Sequence, residues 1–441
     1  MECLLLTIEK LIYGGDGLAR TAPDPKGRSK AVFVPFVLGG EKVEARVVEE
    51  KPGFARARTE KLLKPSPERV DARCPYFQRC GGCHYQHTGY EHQLAIKQSI
   101  LTETIQRIAK ISLPSAPHVH SAAPWNYRNR TRMKLRGGQR FALGYYRFNS
   151  HELLPVEECP ISSPLINRAI AALWKLGRNG AVPQHIEEIE FFAGHDDRHL
   201  LIEFNLDDHA MNGVANTVVT FAESLRNELE EIVGVSVFRR EGANLRHETV
   251  TQEQHDVLGA ERMEYQVGEC KFQVSAGSFF QTNRHLTADM MQLVTSNRTG
   301  NHALDLYAGV GLFTLPMSQN FVDVVAVEAA PYSHHDLRRN TPSNVKSYNA
   351  STEQFLSSSH GTDPFDYVVV DPPRGGMGEA VARQLAELEA PRITYVSCDP
   401  ATLARDLRVL LAAGYVIEDT HLLDLFPQTF HIESVVELKM G

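Results

Sequence analysis

The chain has 441 residues, room for two to four domains at about 100–200 residues each. Its 42% hydrophobic and 23% charged residues fit an ordinary folded protein and exclude long disorder, while a net charge of −8 means that any RNA affinity must come from local patches. There is no uncharged apolar run of about 18 residues, Leu4-Leu5-Leu6 is too short for a signal-peptide core, and seven cysteines are too few and too odd for a disulfide scaffold; a cytoplasmic protein with no membrane span is expected.

From Leu4 to Leu63 the sequence reads as short strands punctuated by Gly14-Gly15-Asp16-Gly17 and Leu38-Gly39-Gly40, a pattern that predicts a small β-barrel over residues 1–64. Pro65-Ser66-Pro67 marks a boundary, followed by a compact cysteine segment and a helix with Leu94, Leu101, Ile105 and Ile108 on one face. Residues 65–265 form a mixed α+β region, in which Ile186–Phe192 and His199–Phe204 read as a hairpin. His195-Asp196-Asp197 reads as its solvated turn rather than a metal site, and Asp207-Asp208-His209 and His334-His335 are read as equally plain. Residues 266–441 change character. Ala303–Tyr307, Val322–Glu328, Val345–Asn349, Tyr367–Asp371 and Ile393–Ser397 are apolar strands, separated by helical segments near 311–319, 332–340, 377–389 and 401–413. Such alternation predicts a parallel α/β sheet with ligands at the carboxyl ends of its strands.

Four features fall at those ends. Asp305-Leu306-Tyr307-Ala308-Gly309-Val310-Gly311 is a strand entering a glycine turn, where a ligand can approach the backbone closely. Glu328 follows 23 residues after Asp305, the placement of an acid that binds a ribose diol. Asp371-Pro372-Pro373-Arg374 stops a buried strand with a rigid turn. Ser397-Cys398-Asp399-Pro400 sets a thiol just past another, where it could serve as a nucleophile or simply fill the core.

Cys74, Cys80 and Cys83 give a Cys-x5-Cys-x2-Cys triplet, with Cys159-Pro160 far downstream. A close triplet plus a distant Cys-Pro suits an iron–sulfur cluster better than zinc, although spacing alone also admits zinc or free thiols. Cys3 and Cys270 have no motif. Between Trp125 and Arg147, the cations Arg128, Arg130, Arg132, Lys134, Arg136, Arg140 and Arg147 occur without one acid, interleaved with Tyr127, Tyr145 and Tyr146. That alternation predicts a basic, base-stacking strand face for RNA. Lys51, Arg56, Arg58, Lys61 and Lys64 predict a second patch on the barrel.

The four strand-end features, with Ser278-Phe279-Phe280-Gln281-Thr282-Asn283 and Phe426-Pro427-Gln428-Thr429-Phe430-His431-Ile432-Glu433, resemble the bacterial RNA (uracil-5-)-methyltransferase family over essentially the whole chain. The N-terminal barrel resembles a TRAM domain. The resemblance implies a class I (Rossmann-like) methyltransferase domain at 266–441, behind an OB-like barrel and a central α+β domain. It implies Cys398 as nucleophile, Glu433 as the base for the C5 proton, and Gln281, Tyr307, Glu328 and Asp371 around S-adenosylmethionine. It also implies a [4Fe-4S] cluster on Cys74, Cys80, Cys83 and Cys159. The expected activity is methylation of uracil C5 in ribosomal RNA, with the transfer RNA T-loop as the nearest alternative. An amino-group methyltransferase would leave Cys398 and Glu433 without a role, and a non-catalytic RNA-binding protein would not account for the strand-end set.

Overall fold

The computed structural model describes residues 3–207, 214–240 and 252–441; Asp208 and His209 lie outside the described residues. The N-terminal unit is a six-stranded sheet in the order Cys3–Thr7, Lys42–Glu50, Phe54–Lys64, Ala31–Pro35, Asp16–Arg20, Lys10–Leu11. Successive side chains of a strand point to opposite faces, so Val32 and Val34, Val43 and Ala45, and Ala55 and Ala57 enter one small core.

The central sheet has seven strands, in the order Leu153–Pro155, Ala142–Tyr146, Arg130–Arg136, Ile186–Ala193, Leu200–Leu206, Ile232–Arg240, Gln252–Gly259. The predicted hairpin is present, with Ile189 opposite Phe204 and Phe191 opposite Ile202. Asp197, with a positive φ of 58°, turns the chain between its strands and pairs with Arg284 at 2.7 Å. The amphipathic helix Pro164–Arg178 covers the sheet with Leu165, Ile166, Ala169, Ile170 and Leu173.

The C-terminal sheet has eight strands. Its order is Val345–Tyr348, Phe321–Val327, Gly300–Leu306, Tyr367–Val370, Arg392–Ser397, Glu433–Met440, Tyr415–Leu423, His118–His120. The first five are parallel, as the alternation requires, and Glu433–Met440 inserts antiparallel between its two neighbours. The chain reverses direction across the sheet between Gly300–Leu306 and Tyr367–Val370, which opens a crevice at their carboxyl ends. The helix expected near 311–319 contracts to Thr314–Met317, because Gly309 and Gly311 hold positive φ angles of 56° and 97° and keep the preceding residues in turns.

Two pieces of the 65–265 stretch pack on this last sheet. The strand His118–His120 joins its edge. The helix Tyr90–Ala109 lays Ile100, Leu101, Ile105 and Ala109 into the core shared with Leu403 and Leu407. The same helix carries Lys97, whose side chain has no exposure at all. Its Nζ donates to Asp424 Oδ1 at 2.6 Å and to the Phe426 carbonyl at 2.9 Å. A buried carboxylate that loses its cation keeps the full cost of desolvation. Lys97→Met should therefore destabilise the protein by about 3–5 kcal/mol in chemical denaturation, and a change under about 1 kcal/mol would contradict this reading.

Candidate functional site

The crevice is built from strand ends. Beyond Gly300–Leu306, Tyr307 takes a φ of 64°, rare for a residue with a side chain and a mark of local constraint. A Cβ on Gly309 would meet nothing within 4 Å, so its backbone faces open space. Glu328 ends the neighbouring strand; Gly309 N–H donates to its Oε2 at 2.8 Å and Ala330 N–H to its Oε1 at 2.6 Å. These bonds fix the carboxylate beside the glycine turn, with lone pairs left for a diol. Asp371 follows Tyr367–Val370, and its N–H donates to the Leu306 carbonyl at 3.3 Å. Asp305 lies beneath, fully buried; it accepts from Thr314 Oγ1, while its Oδ1 has no partner. Burial pushes Asp371 up to about 7, with Asp305 adding to the effect, and burial likewise pushes Asp305 up to about 7. The orphaned oxygen, the open glycine turn and the surplus of carboxylates fit a ligand that carries a ribose and a positive charge.

Gln281 follows the buried Phe280 on a segment pinned from both sides. Asn129 N–H donates to the Thr282 carbonyl at 3.0 Å, and Asn283 Nδ2 donates to Leu425 O at 2.9 Å. This segment thereby lies against the chain that leads to Glu433.

Cys398 and Glu433 are 35 residues apart in sequence. The antiparallel register pairs Ser397 with Ser434, so the residue after one and the residue before the other stand opposite each other. Cys398 precedes Asp399, whose carboxylate caps the helix Pro400–Ala412 by accepting from Ala401 and Thr402 N–H at 2.9 and 3.0 Å. Burial pushes the Cys398 thiol up to about 12; Glu433 and Asp371 push the same way, while Arg374 pulls it down. Glu433 is 5% exposed, and burial raises it well above the ordinary carboxylate range, with Asp371 adding to the rise and Arg374 opposing it. Arg374, quoted in the sequence only as part of the Pro-Pro turn, is thus the cation that acts on both groups.

Gln428 is a residue that sequence reading passed over as functional. It is buried with a φ of 70°, and the surroundings hold that strained backbone. Its carbonyl accepts from His84 and Tyr85 N–H at 2.8 and 3.0 Å, and its N–H donates to Gln93 Oε1 at 3.0 Å. Gln93 Nε2 donates back to Gln428 Oε1 at 3.0 Å. The Cys-rich segment and the following helix therefore clamp the loop that delivers His431 and Glu433.

Cys74, Cys80, Cys83 and Cys159 line one cavity of about 210 Å³, so the fold brings the distant Cys159 to the triplet. Burial raises the Cys80 thiol to about 11 and raises Cys74 and Cys83 as well, which favours their neutral forms while no cation is bound. Among the described residues, no group of three or more His, Cys, Asp or Glu side chains converges on the position of a single metal ion.

The basic strand face requires correction. Arg130 pairs with Glu190 and Glu203 and is buried. Arg132 lies 2.6 Å from Glu190, Lys134 lies 2.6 Å from Glu188, and Arg147 lies 3.0 Å from Glu152. The cross-strand partners are Glu190 opposite Arg132 and Glu188 opposite Lys134. Arg128 faces the cysteine cavity. Tyr127 is buried with its hydroxyl on Pro427 O at 3.0 Å and offers no stacking face, Tyr145 is half-buried and shares a hydrogen bond with Thr131, and Tyr146 is exposed with Lys134 over its ring at 5.3 Å. Trp125 lies under Arg73, and Arg136 and Arg140 are exposed. On the barrel, Lys51, Arg56, Arg58, Lys61 and Lys64 are all exposed, although Lys51 pairs with Glu49, Arg56 with Asp16 and Arg58 with Glu60. There the Phe33 and Phe54 rings lie 5.7 Å apart, with Arg56 over both and Lys51 over Phe54.

Residues 89–440 match the tRNA (Uracil-5-)-methyltransferase family and residues 2–59 the TRAM domain. An uncharacterised RNA methyltransferase of Aquifex aeolicus is 34% identical, covering 99% of this chain and 98% of that one. A 23S rRNA (uracil(1939)-C(5))-methyltransferase of Pectobacterium atrosepticum is 33% identical over 98% of this chain and 92% of its own. The fold is that of the Pyrococcus abyssi tRNA (uracil-54, C5)-methyltransferase solved with S-adenosyl-L-homocysteine, with a TM-score of 0.74 at 22% identity and coverage of 99% and 100% of the two chains. No helix among the described residues is long and apolar enough to cross a membrane. The chain belongs to the tRNA (uracil-5-)-methyltransferase family, and is an S-adenosylmethionine-dependent RNA uracil-C5 methyltransferase with an N-terminal TRAM domain.

Proposed function

We propose that the enzyme methylates C5 of a uridine in 23S ribosomal RNA in the cytoplasm, through a covalent adduct between Cys398 and C6 of the base. The observation that carries the mechanism is the register that pairs Ser397 with Ser434, one residue from Cys398 and one from Glu433, with Glu433 close enough to act on the thiol. Uracil C5 is a weak nucleophile. Addition of the Cys398 thiolate to C6 moves the ring electrons onto the C4 carbonyl oxygen, giving an enolate that is nucleophilic at C5. S-adenosylmethionine supplies an electrophilic methyl group, and Gln281, Tyr307, Glu328 and Asp371 would hold it. After C5 has gained that methyl, the Glu433 carboxylate takes the C5 proton; the electron pair re-forms the C5–C6 double bond as the C6–S bond breaks. Arg374 favours the ionised forms of both Cys398 and Glu433, which is the direction the chemistry needs. The target base has to leave its stack to reach the crevice, which favours a loop or bulge.

The choice of ribosomal RNA is supported by the full-length Pectobacterium relative, which is named for that substrate. On the barrel, Phe33 and Phe54 with Arg56 and Lys51 offer a stacking surface for unpaired bases. With S-adenosylmethionine carrying a deuterated methyl, purified protein should place label on 5-methyluridine in 23S RNA from an unmodified total RNA pool. Cys398→Ala should abolish the label while still binding RNA. Label in transfer RNA instead would overturn the target, and unchanged labelling by Cys398→Ala would overturn the nucleophile.

Cys74, Cys80, Cys83 and Cys159 are proposed to hold a [4Fe-4S] cluster. The support is the chemistry of the donor set: four thiols on one cavity of about 210 Å³, where bound metal would take the place of thiol protons. Its place is structural, joining the Cys74–Cys83 segment to Cys159. Protein purified without oxygen should be brown and contain about four iron and four acid-labile sulfide per chain. A colourless preparation holding stoichiometric zinc would contradict the cluster.

A further inference from the structure

The first turn of the N-terminal barrel reaches into the catalytic domain. Ile12 N–H donates to Asp16 O at 3.0 Å and Gly15 N–H to Ile12 O at 3.1 Å, closing a tight turn with Tyr13 at its tip. Gly14 and Gly15 make that turn possible, with φ angles of 105° and 91°. The Tyr13 hydroxyl donates to the Cys398 carbonyl at 3.3 Å. The ring stands edge-on to Phe430, at 5.5 Å and 89°, between the two loops that present nucleophile and base.

The turn is held there by contacts on every side. Lys10 pairs with Glu103 of the helix Tyr90–Ala109. Leu11 and Leu38 of the barrel share a small core with Tyr85, Ile96 and Phe430. A Cβ on Gly15 would stand 3.1 Å from the His84 ring, which itself packs edge-on against Phe430 at 4.6 Å. Cys398 is one residue past its strand and one before the helix cap Asp399, so a small rotation of its peptide swings the thiol. The Tyr13 hydrogen bond ties the carbonyl of that peptide to the barrel turn and so opposes the rotation.

We infer that Tyr13 is a positioning residue for the nucleophile, so that the barrel completes the active site as well as contacting RNA. The inference rests on Cys398 being the nucleophile. Tyr13 touches no reacting atom; it fixes the direction from which the thiolate meets C6. Misplacing a reacting group by a fraction of an ångström slows the chemical step without weakening substrate binding.

The test compares wild type, Tyr13→Phe and Cys398→Ala on an RNA whose target uridine is replaced by 5-fluorouridine. With S-adenosylmethionine present, C5 gains the methyl but fluorine cannot leave as a proton does, so the C6–S bond cannot break; the covalent adduct accumulates and its formation rate can be read on a denaturing gel. Tyr13→Phe keeps the ring and its packing on Phe430 and removes only the hydroxyl. Adduct formation on this RNA and kcat on the unsubstituted RNA should fall about tenfold, while KM for the unsubstituted RNA and thermal stability stay within about twofold and about 2 °C. An unchanged adduct rate, or a loss located in KM alone, would overturn the role of Tyr13 and leave Cys398 intact. No adduct with wild type, or an equal adduct with Cys398→Ala, would remove the nucleophile and this inference together.

Discussion

The proposed active site depends above all on the register of one antiparallel strand pair. Ser397 opposes Ser434, and this brings the chain at Cys398 beside the chain at Glu433. A slip of one residue would turn every side chain of Glu433–Met440 to the opposite face. The strand resists that slip because both faces are buried: Val435 packs into one core, and Val436 and Leu438 into the other. Insertion between Arg392–Ser397 and Tyr415–Leu423 leaves it no free edge. Glu433 is thus carried on a strand that is paired on both edges and buried on both faces.

What the sheet does not fix, the neighbouring layers do. The loop between Leu423 and Glu433 is held by a buried lysine at Asp424 and by a reciprocal amide pair at Gln428. The same loop accepts two N–H groups from the residues just after Cys83. The cysteine cavity and Glu433 are therefore connected through a few bonds of backbone, although they lie in different units of the chain. The barrel closes the arrangement from the third side. Buried carboxylates fill the crevice, and the cost of keeping Asp305, Asp371 and Glu433 together is expressed as raised proton affinity until a cation shares the space.

The sequence was most legible where function follows from local pattern. Strand–helix alternation after residue 266 implied the parallel sheet, and Tyr307, Glu328 and Asp371 sit at strand ends as their motifs required. The opposition of Cys398 and Glu433 was not derivable from spacing, because it arises from the last strand entering antiparallel; only the family resemblance pointed to it. The basic strand misled for a related reason. A window from Trp125 to Arg147 holds no acid, yet Glu188 and Glu190 arrive from the paired strand some fifty residues on and neutralise Lys134 and Arg132. Tyr13 was invisible for the same reason: a tyrosine in a barrel turn gains meaning only from what the turn touches. Cys159 showed the converse, since its Cys-Pro context marked it before the fold brought it to the triplet.

The most direct test of the central claim is to locate the covalent bond. Glu433→Gln should add the thiolate and accept the methyl yet fail to release the base, so a protein–RNA adduct should persist. After nuclease digestion and proteolysis, tandem mass spectrometry should find a methylated uridine remnant on the peptide that contains Cys398. A remnant on any other cysteine, or no adduct with the variant folded and RNA-bound, would contradict the pairing of this nucleophile with this base.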